Sequence, residues 1–205
     1  VPRGNFGGAT CRRAGSARFV GAGALFFIYM DNKILLHTCC APCAVMCARS
    51  LRKEGFEPTL YFYNPNIHLY KEYEARRDTL IKLSELENYQ KIIVDNYGLR
   101  DYLKALGGDF DERCQKCYEM RLEPAAKYAS ENGFKYFSTT LLISPYQKHD
   151  LIKNIAENCA KKYGAEFLYR DFRPLFREGQ NEARRLGFYM QKYCGCVFSE
   201  EERYK

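Results

Sequence analysis

The chain reads as an α/β protein, a parallel sheet of about five strands flanked by helices. Short apolar runs alternate with longer stretches of helical pattern along most of its 205 residues, as in strand–crossover–strand units. The length is enough for a domain with a real core. Apolar residues make up 46% and charged residues 28% of the chain, an ordinary globular balance. No repeat, collagen-like or coiled-coil pattern is present.

Residues 1–29 stand apart. They hold six of the 15 glycines, four arginines and no acid, with no amphipathic period. We expect a leader, a cloning scar or translated upstream sequence here, with Met30-Asp31-Asn32-Lys33 as a natural start. A signal peptide fits less well, because no small-residue cleavage site precedes Asp31. The apolar stretch Phe19–Met30 is also too short to span a bilayer. A single catalytic domain is expected over 30–205.

Within it, Ile34–His37 has the form of a buried parallel strand. Pro42–Lys53 reads as a helix stopped by Gly55. Thr59–Tyr63 is β-branched and aromatic, hence a strand, and Asn64-Pro65-Asn66 ends it. A charged helix follows over about Leu69–Leu86, then a strand at Lys91–Val94. A short helix at Leu99–Leu106 is closed by Gly107-Gly108. Another helix spans about Glu112–Glu131, before a strand at Tyr136–Thr140. Ser144-Pro145-Tyr146-Gln147 has the form of a capping box opening a helix. That helix carries Leu151, Ile155, Cys159 and Tyr163 as an apolar stripe. Phe167–Tyr169 is a fifth strand, and Gly179–Met190 a last helix. Ligands of such sheets bind beyond the C-terminal strand ends, which is where Cys39 and Cys40 fall.

The net charge is +7. Without the first 29 residues there remain 28 basic against 25 acidic residues, so net charge alone does not establish a nucleic-acid partner. Ten cysteines is a high number. They fall in tight groups, as metal ligands and redox pairs do, rather than being spread as in a small secreted disulfide framework. A reducing, cytoplasmic compartment is expected, with no membrane partner.

Neighbouring side chains on a strand point to opposite faces. Cys39 and Cys40 therefore share a site only if the chain bends into the helix at that point. Cys114-Gln-Lys-Cys117 is a CxxC at a helix start, where both sulfurs can reach one metal. With Cys39 and Cys40 it makes a four-sulfur set that suits structural zinc or a 4Fe-4S cluster, and spacing does not choose between them. Cys194-Gly195-Cys196 can close a small, readily reduced disulfide or ligate a second metal, on an arm able to fold over a site. Cys40-Ala-Pro-Cys43 also has the thioredoxin-like spacing. A thiol–disulfide oxidoreductase and a non-catalytic zinc-binding RNA module thus stay open. Cys47 and Cys159 lie on apolar helical faces and are expected in the core.

LLHTCCAPC, YFYNPNIH followed by EYEARR, CxxCYxxRL, FSTTLLISPYQ, DFRP and YCGCVFS occur in this order. Together, over about Ile34–Ser199, they resemble the cobalamin-independent epoxyqueuosine reductases. The resemblance implies a HUP-like, Rossmann-related fold. It implies two-electron reduction of the epoxide of epoxyqueuosine to queuosine at the wobble position of tRNA. It also implies a 4Fe-4S cluster held by Cys39, Cys40, Cys114 and Cys117, with a second iron as an option beside it. Cys194 and Cys196 match the family's CxC and are assigned as a redox-active pair, served by an unidentified electron donor. Tyr118, Arg121, Ser144, Tyr146, Lys148 and Arg173 are candidate substrate contacts. Tyr118, Tyr146 and His37 are also candidate proton donors. Arg76, Arg77 and Arg177 are further phosphate candidates; Tyr61, Tyr63 and Tyr146 are candidates to stack an unstacked base.

Overall fold

The computed structural model describes residues 32–205; the expected leader, Cys11 and the Met30 start lie outside the described residues. Five parallel strands form one sheet in the order β3-β2-β1-β4-β5. The chain first moves outward from β1 to β3 and then crosses back to β4. The order therefore reverses between β1 and β4, the switch point at which doubly wound sheets hold their ligands.

Strand β1 (Lys33–His37) is buried from Ile34 onward, so both faces of the sheet are covered there. It pairs Leu36 with Leu60 of β2 (Glu57–Phe62) and with Ser138 of β4 (Tyr136–Thr139). Helix α1 (Ala41–Lys53) carries Pro42 in its first turn and buries Val45, Met46, Cys47 and Leu51. Helix α2 (Tyr70–Leu86) leads to β3 (Gln90–Ile93), and α3 (Leu99–Leu106) ends on left-handed Gly107. Helix α4 (Arg113–Glu131) carries the CxxC and packs on α5 (His149–Tyr163). Cys47 and Cys159 are buried, as the helical pattern predicts. Among the described residues no helix is long and apolar enough to cross a membrane.

Three boundaries differ from expectation. Helix α5 begins at His149, not at Ser144. Ser144 is extended, its Oγ accepts the Tyr146 N–H at 3.3 Å, and the Lys148 N–H goes to Tyr118 Oη at 3.2 Å. These bonds make a turn of Ser144–Lys148 in place of the capped first turn of a helix. Strand β5 is Glu166–Phe167, with Leu168 adding one bond to Phe137 O at 2.9 Å. Helix α6 spans Phe176–Arg185 and ends before Gly187, whose φ of +67° stops it short of Met190. An eight-residue helix not expected from the pattern, α7 (Val197–Tyr204), follows the CxC. It docks through Phe198, 5.1 Å from the Phe110 ring and 6.4 Å from Tyr102.

Candidate thiol centre at the switch point

At the end of β1 the backbone turns sharply into α1, with Cys40 extended at the helix cap. That bend brings the Cys39 and Cys40 sulfurs to 3.7 Å. One helical turn on, Cys43 joins them. These three buried sulfurs lie within 4.8 Å of one another, the one such group of metal-ligating side chains among the described residues. The end of β4 supplies the opposite wall: Thr140 Oγ1 accepts the Cys39 N–H at 3.3 Å and approaches its sulfur at 3.7 Å. Hydrogen bonds from Cys40 and Cys43 hold the Cys39 thiol well below its usual range, with help from Arg76 and Arg121. Cys40 is raised by burial and by Cys39, and Cys43 by its bonds to Cys39 and Cys40. Of the three, Cys39 is the sulfur whose surroundings favour the thiolate.

Cys117 belongs to a second thiol group. Its sulfur accepts from Asn66 Nδ2 at 3.1 Å and from Arg121 Nη2 at 2.9 Å. Burial pushes this thiol up to about 12, against the field of Arg121, with Cys194, Cys196 and Cys114 adding to the rise. Two N–H donors aimed at one sulfur suit a thiolate. Arg121, expected at the surface as a substrate contact, is instead 1% exposed. It donates to Cys117 O and Sγ, and among the described residues no carboxylate pairs with it. Burial opposes its charge, yet the thiol fields of Cys117, Cys194 and Cys39 raise its pKa. A buried cation whose only counter-charges are sulfurs calls for an anionic sulfur centre.

The CxC is not a loose arm. Arg76, also 1% exposed, donates to Cys194 O at 2.8 Å, Tyr193 O at 2.9 Å and Glu72 Oε1 at 2.7 Å. The His68 N–H meets Gly195 O at 2.6 Å, and Ser199 Oγ accepts the Gly195 N–H at 3.2 Å. Gly195 has φ +137°, and a Cβ there would lie 3.0 Å from Arg76 Nη1 and 3.2 Å from Ile67 Cγ1. Only glycine fits this turn without strain. Cys194 and Cys196 are free thiols, the first exposed and the second buried.

Cys39, Cys43 and Cys194 open on a cavity of about 650 Å³. Its lining includes five cations, Arg76, Arg177, Arg184, Lys192 and Arg203, and no carboxylate. Ser144, Tyr146 and Gln147 also line it. Tyr146 is 86% exposed and meets Phe176 edge-on at 6.0 Å. Tyr118 lies beneath the rim and donates to Gln147 Oε1 at 2.6 Å. Lys148 and Arg173 are outside the lining, and Arg173 is paired with Asp171 at 2.7 Å. Arg77 is likewise held by Asp95 at 2.9 Å. Tyr61 packs on Tyr128 with ring centroids 5.1 Å apart, and Tyr63 lies beside it, so neither stacks freely. Asn66, Gln147 and Gln191, which donates to Cys43 Sγ at 3.5 Å, escaped the reading by residue type. For Asn66 a signal existed, because Asn64-Pro65-Asn66 sits at a strand's C-terminal end.

His37 is poorly placed to donate a proton near neutrality. It is buried between Thr139 Oγ1 at 2.9 Å and Tyr63 O at 3.3 Å, and burial followed by Arg121 lowers its pKa to about 4. His68 is also lowered to about 4, by burial. The unfolded chain protonates first, so their stabilisation is full above about 6.5 and is lost as pH falls toward 4. Between neutral pH and pH ~5 each should cost about 2 kcal/mol. Denaturant titrations at both pH values check this, and His68→Gln should remove its share of the pH dependence.

Buried thiols gathered at the switch point of a parallel α/β sheet define a metal-binding or thiol-redox protein. The family model described as "Epoxyqueuosine reductase QueH" matches residues 34–202, and the chain belongs to that family. It is 39% identical over 175 residues to "Epoxyqueuosine reductase QueH" of Dehalococcoides mccartyi, covering 85% of this chain and 96% of that one. The protein of the same name from Histophilus somni is 38% identical, covering 82% and 72%. That from Thermotoga maritima is 37% identical, covering 83% and 91%.

The donor set suits an iron–sulfur centre in its chemistry: soft thiols, two buried guanidiniums and an amide donor on Cys117. The spacing is narrower than the sequence pattern implies. Cys39, Cys40 and Cys43 form the close group, while Cys114 and Cys117 stand outside it. Thiol pairs about 3.7 Å apart match one tetrahedral metal, since ~2.3 Å metal–sulfur bonds set such an edge. In a cubane each thiolate sits on its own iron, so the sulfurs would be spread further.

Proposed function

We propose that this protein reduces the epoxide of epoxyqueuosine in tRNA to the cyclopentene-diol of queuosine. The carrying observation is the set of thiols at the switch point, opening into a cavity lined by five cations and no acid. Such a cavity suits a nucleoside within a polyanion. Arg177, Arg184, Lys192 and Arg203 would meet backbone phosphate, and Tyr146 would stack on the base. Ser144 and Gln147 lie where polar groups of the nucleoside would enter. The reaction takes place in the cytoplasm.

The chemistry balances on the chain's own dithiol. Cys194 and Cys196 close to a disulfide and give up two electrons and two protons. Both carbon–oxygen bonds of the epoxide break, a carbon–carbon double bond forms, and the oxygen leaves as water. An external dithiol or one-electron donor then reopens the disulfide. Cys39, Cys40, Cys114 and Cys117 are the proposed holders of a 4Fe-4S cluster, with Cys43 beside them, and a second iron would sit on the cavity side, which Cys43 and Cys194 line. When bound, the cluster supplies one-electron steps, and an iron beside it would polarise the epoxide oxygen.

Anaerobic purification with iron and sulfide analysis tests the cluster. Cys117→Ser should lose most of the iron, whereas Cys43→Ser should keep it; iron lost with Cys43 and kept without Cys114 would move the ligand set to the close triplet. For the reaction, tRNA from a deletion strain lacking any second reductase should accumulate epoxyqueuosine. Unchanged queuosine would refute the proposal.

A further inference from the structure

We propose that Gln147 is a positioning residue for Cys194, oriented by Tyr118 so that its N–H face meets the sulfur and favours the thiolate. This rests on the reading of Cys194 and Cys196 as the redox pair. The polarity follows link by link. The Lys148 backbone N–H can only donate, and it donates to Tyr118 Oη at 3.2 Å. The phenol's own hydrogen then needs an acceptor, and Gln147 Oε1 lies 2.6 Å away. With its oxygen engaged, the amide must turn its NH₂ the other way, where Cys194 Sγ lies at 3.1 Å. A flipped amide would leave the hydrogen of Tyr118, a residue 2% exposed, without an acceptor, which is costly in a buried site.

The two thiols of the CxC are therefore unequal. Cys194 is exposed, lines the cavity and receives an amide donor. Cys196 is 7% exposed, and its sulfur meets the Ser199 hydroxyl at 3.5 Å. Burial raises the Cys194 pKa, and the Gln147 N–H, which stabilises a thiolate far more than a thiol, works against that rise, so Gln147 eases the charging of one sulfur of the pair. That sulfur is the one facing the cavity.

The reduced full-length enzyme is alkylated with iodoacetamide at neutral pH, and each cysteine's rate is read by peptide mass spectrometry. Gln147→Leu and the nearly isosteric Gln147→Glu should each slow alkylation of Cys194 about tenfold while leaving Cys196 unchanged. The same change should shift the dithiol–disulfide equilibrium against glutathione toward the disulfide. Tyr118→Phe should give a smaller slowing, since the amide remains but loses its anchor. If Cys194 reacts within about twofold of the wild type in both Gln147 variants, the proposal fails, whatever happens to turnover. Gln147→Glu keeps the test valid should Gln147→Leu not fold. Full turnover in Cys194→Ser would instead remove the redox-pair reading, a separate outcome.

Discussion

Replacing Arg76 by methionine is expected to cost about 3–5 kcal/mol and to free the CxC turn. The side chain is 1% exposed and ties helix α2 to the CxC turn through three acceptors. It neutralises Glu72, itself only 9% exposed, and closes the carbonyls of Tyr193 and Cys194. Methionine fills much of the volume but leaves a buried carboxylate without its cation and two carbonyls without donors. Tyr189, which donates to the other Glu72 oxygen, cannot supply the missing charge. Arg76→Lys should recover only part of the loss, because one ammonium cannot reproduce a fork spread over three acceptors. The denaturation midpoint measures the first effect. Protease cleavage between Phe188 and Cys196 measures the second, and unchanged resistance there would show that the turn holds without Arg76.

Arg121→Met is expected to have opposite effects on two states. In the metal-free protein it removes a buried cation that has no carboxylate partner, so stability should hold or rise by about 1 kcal/mol. In the metal-loaded protein it removes the donor 2.9 Å from Cys117 Sγ and the positive field that offsets an anionic centre. Metal affinity should fall by about 10-fold to 100-fold, as for other outer-shell partners of metal ligands. Parallel denaturation of the two forms, with iron titration by a chelator, checks both signs. A loss of stability in the metal-free form would mean that packing, rather than charge, is what Arg121 contributes.

Much of the fold was legible because its signals are local. Ile34–His37 and Thr59–Tyr63 are strands by residue type, and Gly55 and Gly107 end helices by their backbone freedom. The errors arose where a distant group overrode a local one. Ser144-Pro145-Tyr146-Gln147 has the letters of a capping box, but the Tyr118 hydroxyl takes the Lys148 N–H and the segment becomes a turn. Helix α7 was missed because its hold depends on Phe198 finding Phe110 and Tyr102, 88 and 96 positions back in the chain. The sequence offers Arg76 as a phosphate contact and Arg121 as a substrate contact, since residue type says nothing about depth.

The sequence by itself determined the α/β class, the placing of Cys39 and Cys40 at a strand end, and the family, because alternation, thiol spacing and ordered motifs are all properties of the string. Only the tertiary structure decided which sulfurs are neighbours and what charges them. It joined Cys43 to Cys39 and Cys40, buried Arg121 against Cys117, and clamped Cys194-Gly195-Cys196 under Arg76. The physical reason is that a thiol's state is set by the donors, cations and burial around it, and here several of those come from distant segments: Thr140 reaches Cys39 because the chain crosses back from β3 to β4 beside β1, and Arg76 of α2 reaches the CxC turn.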